Sequence, residues 1–94
     1  MEKNIKKIVN IIAAAIEKNT WSSQLSSWNN GETIYIGNWE VTQFSDKWTV
    51  YKENKRVASY FFEGQRSKGE NLYFYNTDEW FYIPFKKFFK NINF

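Results

Sequence analysis

The spacing of apolar residues separates a helical N-terminal segment from a strand-rich remainder. The aliphatic residues that recur at helical spacing are Ile5, Ile8, Val9, Ile12 and Ile16. The opposite side carries polar residues, namely Lys3, Lys6, Lys7, Asn10, Glu17 and Lys18. The pattern therefore predicts an amphipathic helix over about residues 3–19. Residues 20–31 show no sustained period and are predicted to be irregular. Within them, Trp21, Leu25 and Trp28 are spaced to lie on one side of a short helical turn.

From Glu32 onward the apolar period is two, which is typical of half-buried strands. The predicted strands are Thr33–Ile36, Asn38–Phe44, Lys47–Lys52, Arg56–Phe62, Asn71–Tyr75 and Glu79–Ile83. Pro84 suits the first position of a short helix over about 84–92. The prediction is one α+β domain: an N-terminal amphipathic helix on one face of a five- to six-stranded antiparallel meander sheet, closed by a short C-terminal helix.

Two turns predict the same division of the sheet into faces. A two-residue turn at Gly37-Asn38 places Ile36 opposite Trp39, and a tight turn at residues 45–46 places Val41 opposite Val50. The face predicted to pack on the helix carries Ile34, Ile36, Trp39, Val41, Trp48 and Val50. The other face carries Thr33, Tyr35, Glu40, Thr42, Thr49 and Tyr51.

The next turn, around Glu53-Asn54-Lys55, leaves two registers open. A two-residue loop at Asn54-Lys55 sends Val57, Ser59 and Phe61 to the helix side. A three-residue loop sends Ala58, Tyr60 and Phe62 there instead, because a shift of one residue exchanges the faces. We favour the two-residue loop.

Composition explains how so short a chain makes a core. Twenty of the 94 residues are Phe, Tyr or Trp, which bury a large area per residue. Lys and Asn, eleven copies each, and nine Ile against two Leu indicate AT-rich coding, which also enriches Phe and Tyr. The five Trp are not explained by that bias and mark positions where structure or binding requires a large ring.

The chain has no Cys and no His, which removes thiolate nucleophiles, Cys-type zinc sites and the commonest general base. Its ten carboxylates form no paired acid and base, so we expect no enzyme, cofactor or metal site. The net charge is +3, and the positive excess lies at the two ends of the chain. The N-terminal segment fits a retained helix better than a signal peptide, and no apolar run has transmembrane length. We expect a protein of the bacterial cytoplasm.

The face opposite the helix is the predicted binding surface, because aromatic patches on soluble domains usually mark interfaces. The candidate residues are Tyr35, Tyr51, Tyr60, Tyr73, Tyr82, Lys47, Arg56, Arg66 and Lys68. A protein partner is the leading hypothesis. Single-stranded nucleic acid, stacked on the tyrosines, is the alternative, and self-association is a third use of the same face. Small non-enzymatic proteins from AT-rich sources are often phage or mobile-element inhibitors of host factors, such as anti-CRISPR proteins, and we expect a role of this kind.

Overall fold

The computed structural model describes residues 3–20, 31–44, 46–61 and 70–89. The elements in chain order are α1 (Lys3–Thr20), β1 (Thr33–Ile36), β2 (Trp39–Gln43), β3 (Lys47–Lys52), β4 (Lys55–Phe61), β5 (Asn71–Phe74), β6 (Glu79–Tyr82) and α2 (Phe85–Phe88). The predicted α+β layout is therefore confirmed. The helix α2 is shorter than predicted, and residues 90–92 of the predicted helix lie outside the described ranges, as do Trp21, Leu25 and Trp28.

The six strands form one antiparallel sheet in the order β1-β2-β3-β4-β5-β6, so each strand pairs with its neighbours in sequence. The two predicted pairs, Ile36 with Trp39 and Val41 with Val50, are both observed. Gly37 has φ of +60°, a conformation that favours Gly in a tight hairpin turn. The first three strands thus follow the register that their turn residues predict.

The turn between β3 and β4 differs from both predicted forms. It consists of two residues, Glu53 and Asn54, and joins the paired residues Lys52 and Lys55. Both turn residues have positive φ, 53° and 66°, as a type I′ hairpin turn requires. The sequence gives a weak signal for this turn because neither position is Gly.

A β-bulge in β4 then shifts the register by one residue. Tyr51 pairs with Arg56 and Val50 pairs with Ala58, which leaves Val57 as the extra residue. Val57 is half-buried and packs against the core from within the bulge. The residues that follow it therefore change faces relative to an unbulged strand.

The favoured register after Glu53 is wrong as a consequence of this bulge. Ala58 and Tyr60 face α1 and are completely buried. Ser59 and Phe61 lie on the other face, where they pair with Thr49 and Lys47. These faces are those of the three-residue alternative, although the turn itself has two residues.

The core lies between α1 and the sheet. The predicted aliphatic stripe of α1 is buried there, namely Ile5, Ile8, Val9, Ile12 and Ile16. The sheet contributes Val41, Trp48, Val50, Ala58, Tyr60 and Leu72. Trp39 is only half-buried and packs at the margin of this cluster. Neither described helix combines the length and the apolarity needed to cross a membrane.

The helix α2 closes one end of the core with aromatic rings. Phe85 and Phe89 lie 6.4 and 5.2 Å from the ring centroid of Tyr60, and Phe85 lies 6.2 Å from Trp48. The Glu70 carboxylate accepts a hydrogen bond from the Phe85 backbone N–H at 2.8 Å, which holds the start of the helix.

The outer edge of β1 is partly covered by α1. Lys18 Nζ donates a hydrogen bond to the Tyr35 carbonyl oxygen at 3.0 Å. The alternation of the antiparallel ladder directs this carbonyl away from β2, because Tyr35 and Glu40 form a pair without mutual hydrogen bonds.

Candidate functional site

We call the sheet face that lies away from α1 the open face. Pairing across the strands arranges its side chains in three rows. The middle row is Thr33, Thr42, Thr49, Ser59, Tyr73 and Trp80. A second row is Tyr35, Glu40, Tyr51 and Arg56, and a third is Lys47, Phe61, Asn71 and Tyr82. Small hydroxyl side chains therefore lie between rows of larger ones.

The small residues of the middle row form a hydrogen-bonded floor. The hydroxyls of Thr33 and Thr42 lie 2.7 Å apart, as do those of Thr49 and Ser59. The Ser59 hydroxyl also lies 2.8 Å from the Tyr75 hydroxyl. Thr49 and Ser59 are nearly inaccessible to solvent, and these bonds satisfy their polar groups. The floor is thus fixed in position beneath the larger side chains.

Four rings at the β4–β6 end of the open face contact one another in a continuous line, which we call the aromatic strip. The centroid distances are 5.5 Å from Phe61 to Trp80, 4.6 Å from Trp80 to Tyr73 and 4.9 Å from Tyr73 to Tyr75. The rings are tilted or edge-on, an arrangement that aromatic pairs prefer. Trp80 remains 41% exposed in the middle of the strip.

A cation lies on the ring at each end of the aromatic strip. Arg56 Cζ is 4.5 Å from the Tyr75 centroid, and Lys47 Nζ is 5.2 Å from the Phe61 centroid. The same lysine is 5.7 Å from Phe44. These cation–π contacts hold both positive charges close to apolar surface.

A depression of about 420 Å³ lies beside the strip. Thr49 forms part of its floor, and its other lining residues are Phe44, Asp46, Lys47, Tyr51, Arg56 and Tyr75. Rings, two cations and one carboxylate therefore converge on a concave part of the open face.

Carboxylates are interspersed among the rings. Glu40 pairs across the strands with both Tyr35 and Tyr51. The Tyr73 hydroxyl donates a hydrogen bond to the Asp78 carboxylate, and this bond raises the pKa of Tyr73. Among the described residues no three acidic side chains cluster as metal ligands. The open face therefore carries both signs of charge.

The structure brings six of the nine predicted site residues to the open face. They are Tyr35, Tyr51, Tyr73, Tyr82, Lys47 and Arg56. Tyr35 and Tyr82 are the most exposed rings, at 59% and 65%. Tyr60 was predicted there wrongly, because the bulge turns it to the helix side, where it is completely buried. Arg66 and Lys68 lie outside the described residues.

Sequence reasoning missed Trp80, Phe61, Tyr75 and Phe44. Trp80 was detectable, since it stands two residues before Tyr82 on the same predicted strand and so shares its face. Phe61 was assigned to the core through the wrong register. Tyr75 was detectable in the same way as Trp80, since it follows Tyr73 by two residues within the predicted strand Asn71–Tyr75. Its hydrogen bond with Ser59 was not, because no local pattern specifies that contact.

Comparison with protein-family models, curated proteins and solved structures gave no match. The function of the chain is therefore argued from the geometry of its surfaces.

Proposed function

We propose that this chain is a non-enzymatic binding protein that recognises a protein partner through the open face. The observation that carries the proposal is the aromatic strip, with Trp80 exposed at its centre and a cation at each end. Aromatic residues and arginine are the side chains most enriched among the dominant contacts of protein interfaces. The neighbouring depression offers a place for a partner side chain.

The packing of the rings favours a protein over single-stranded nucleic acid. A base-stacking platform needs ring faces directed to solvent, whereas Tyr73 contacts Trp80 and Tyr75, and Tyr75 is covered by Arg56. The charges of the open face also favour a protein partner over nucleic acid. Asp46, Asp78 and Glu40 lie among the rings of the open face and would repel phosphates.

We propose further that the chain inhibits a bacterial host factor by covering part of the surface of that factor. Phage-encoded and other anti-defence inhibitors act in this way. The AT-rich coding of the chain and its mixed charge support this form. A mixed-charge face does not imitate nucleic acid, so the inhibition would proceed through direct protein contacts.

The test compares two double variants of the tagged chain in capture from bacterial lysate, followed by affinity measurement with the recovered partner. Trp80→Ser with Tyr82→Ser removes two exposed rings of β6. We expect binding to weaken about thirtyfold or more, since aromatic hot spots contribute about 2 kcal/mol or more. Lys6→Ser with Asn10→Ser alters the exposed side of α1 and should leave binding unchanged.

Nuclease treatment and salt separate the partner classes in the same experiment. A protein partner is retained after nuclease treatment and in moderate salt. Capture that disappears with nuclease, or that falls steeply as salt rises, identifies nucleic acid and refutes the proposal. Thermal unfolding checks that both double variants are folded. If both are folded and bind the partner equally, the open face is excluded as the interface.

A further inference from the structure

A groove of about 260 Å³ lies on the other side of the sheet, between the first two turns of α1 and the strands. Its apolar surface comes from Ile5 and Ile8 of α1, from Val57 in the bulge, and from Phe74 and Phe81. The bulge contributes directly to this groove, because it displaces Val57 from the regular ladder. The volume is near the lower end of ligand pockets, which suits a small occupant.

One end of the groove is cationic. Trp39 forms its wall, and the ammonium groups of Lys7 and Lys52 lie 5.6 and 4.9 Å from the centroid of this ring. The two lysines come from different elements, α1 and β3, and meet at one ring. Within the described part of the chain, neither lysine forms an ion pair with a carboxylate. Both charges are therefore available to an anion.

The remaining charged group of the groove is at the opposite end. Glu79 lines the groove from β6, which lies three strands from β3 in the sheet, or about 14 Å at the usual strand spacing. Asn76 and Thr77 accompany it. The groove is thus polarised, with cations at one end, apolar side chains between and one carboxylate at the far end.

We propose that this groove binds a small apolar carboxylate, of the size of a medium-chain fatty acid. The carboxylate lies between Lys7 and Lys52 beside Trp39, where charge-assisted hydrogen bonds fix it. The hydrocarbon part lies along Val57 and Phe81 and stops short of Glu79. Charge complementarity at one end and apolar area in the middle select this class over a neutral or cationic ligand. The groove is separate from the open face, so the two sites are tested independently.

The experiment is calorimetric titration of the full chain with sodium octanoate and, in parallel, with 1-octanol. We expect octanoate to bind saturably, one per chain, and about tenfold more tightly than the alcohol, because only the carboxylate engages both lysines. In NMR spectra, the indole N–H signal of Trp39, assigned with Trp39→Phe, should shift during the octanoate titration.

Two double variants that carry the same net charge test whether Lys7 and Lys52 cause the preference for octanoate. Lys7→Met with Lys52→Met keeps apolar stems and should bind octanoate and 1-octanol equally. Lys6→Met with Lys55→Met removes two exposed lysines that do not line the groove and should keep the tenfold preference. The proposal fails if the wild type shows no saturable binding or no preference, if the first variant retains the preference, or if the second loses it.

Discussion

Trp39 and Trp48 share the helix-side face of the sheet, but their surroundings differ. Trp48 is 1% exposed, its ring lies 6.1 Å from Tyr60, and its Nε1 donates to the Gln43 side chain at 2.9 Å. Trp39 is half-buried at the groove, with lysines over its ring. The sequence predicts both as core residues without distinguishing them, because alternation assigns a face and not a depth.

Replacing these two tryptophans by alanine should therefore have unequal effects. Trp48→Ala should lower the free energy of unfolding by about 3–5 kcal/mol, a large share of the total for a small domain. Trp39→Ala should lower it by about 1–2 kcal/mol, since less apolar area leaves solvent at this position on folding. Urea unfolding of both variants measures the difference, and equal losses would contradict the assigned depths.

Tyr60 is the buried group that should make stability depend on alkaline pH. Its hydroxyl donates to the Ile83 carbonyl at 2.7 Å, and burial, followed by the charge of Glu70, raises its pKa. Below pH about 10 the folded and unfolded states both hold the proton. Above it the unfolded chain loses the proton first, so the free energy of unfolding falls by up to about 1.4 kcal/mol per pH unit.

The variant Tyr60→Phe removes this titration. At neutral pH it should be less stable by about 1 kcal/mol, because the Ile83 carbonyl loses its partner. Between pH 10 and 11.5 its stability should fall less steeply than that of the wild type in urea unfolding. The control Tyr35→Phe changes an exposed hydroxyl that takes no part in the pKa shift of Tyr60, so it should keep the contribution of Tyr60 to the decline. If the free energy of unfolding falls equally steeply with pH in Tyr60→Phe and in the wild type, Tyr60 is not the cause of the decline.

At the scale of elements, the helix and the first three strands are predictable because local patterns determine them. Ile spacing specifies α1, and Gly37 specifies the first hairpin. Local patterns do not determine the register of β4, since two features combine there. A turn of residues without Gly shifts the pairing, and a bulge at Val57 shifts it again. Bulges respond to cross-strand packing, so a single-sequence pattern does not specify them.

The turn between β3 and β4 can be stabilised by replacing its two residues. Glu53 and Asn54 both adopt positive φ, a conformation that costs Glu about 1 kcal/mol and Asn less, because Asn adopts it more readily. Replacement by Asn-Gly, through Glu53→Asn with Asn54→Gly, should raise the free energy of unfolding by about 1 kcal/mol, because this dipeptide favours the type I′ turn. Thermal and urea unfolding measure the gain. A loss of stability would show that Glu53 or Asn54 makes a contact that outweighs its backbone conformation.

For the molecule as a whole, the sequence predicts which residues share a face of the sheet better than it predicts how their side chains contact one another. Six predicted residues share the open face. A correct register in β1–β3 and alternation in β5 and β6 suffice for five of them, and Arg56 in β4 keeps its predicted face because it precedes the bulge. The contacts of the aromatic strip were not predictable, since they depend on the face of Phe61, which the bulge sets, and on the packing of Tyr75 beyond the end of β5. The groove depends on the bulge at Val57 and on the packing of α1 beside Trp39. No sequence pattern specifies that α1 packs there.

The bond from Lys18 to the Tyr35 carbonyl lies at the edge of β1, where a further strand could otherwise pair with the sheet. An uncovered strand edge recruits other chains by backbone pairing, which is indifferent to sequence and leads towards fibrils. At β1 a lysine occupies the outward carbonyl and places a charge beside it. The edge of β1 is thereby less open to indiscriminate strand addition. A lysine at the edge is one of the features by which soluble sheets oppose edge-to-edge aggregation.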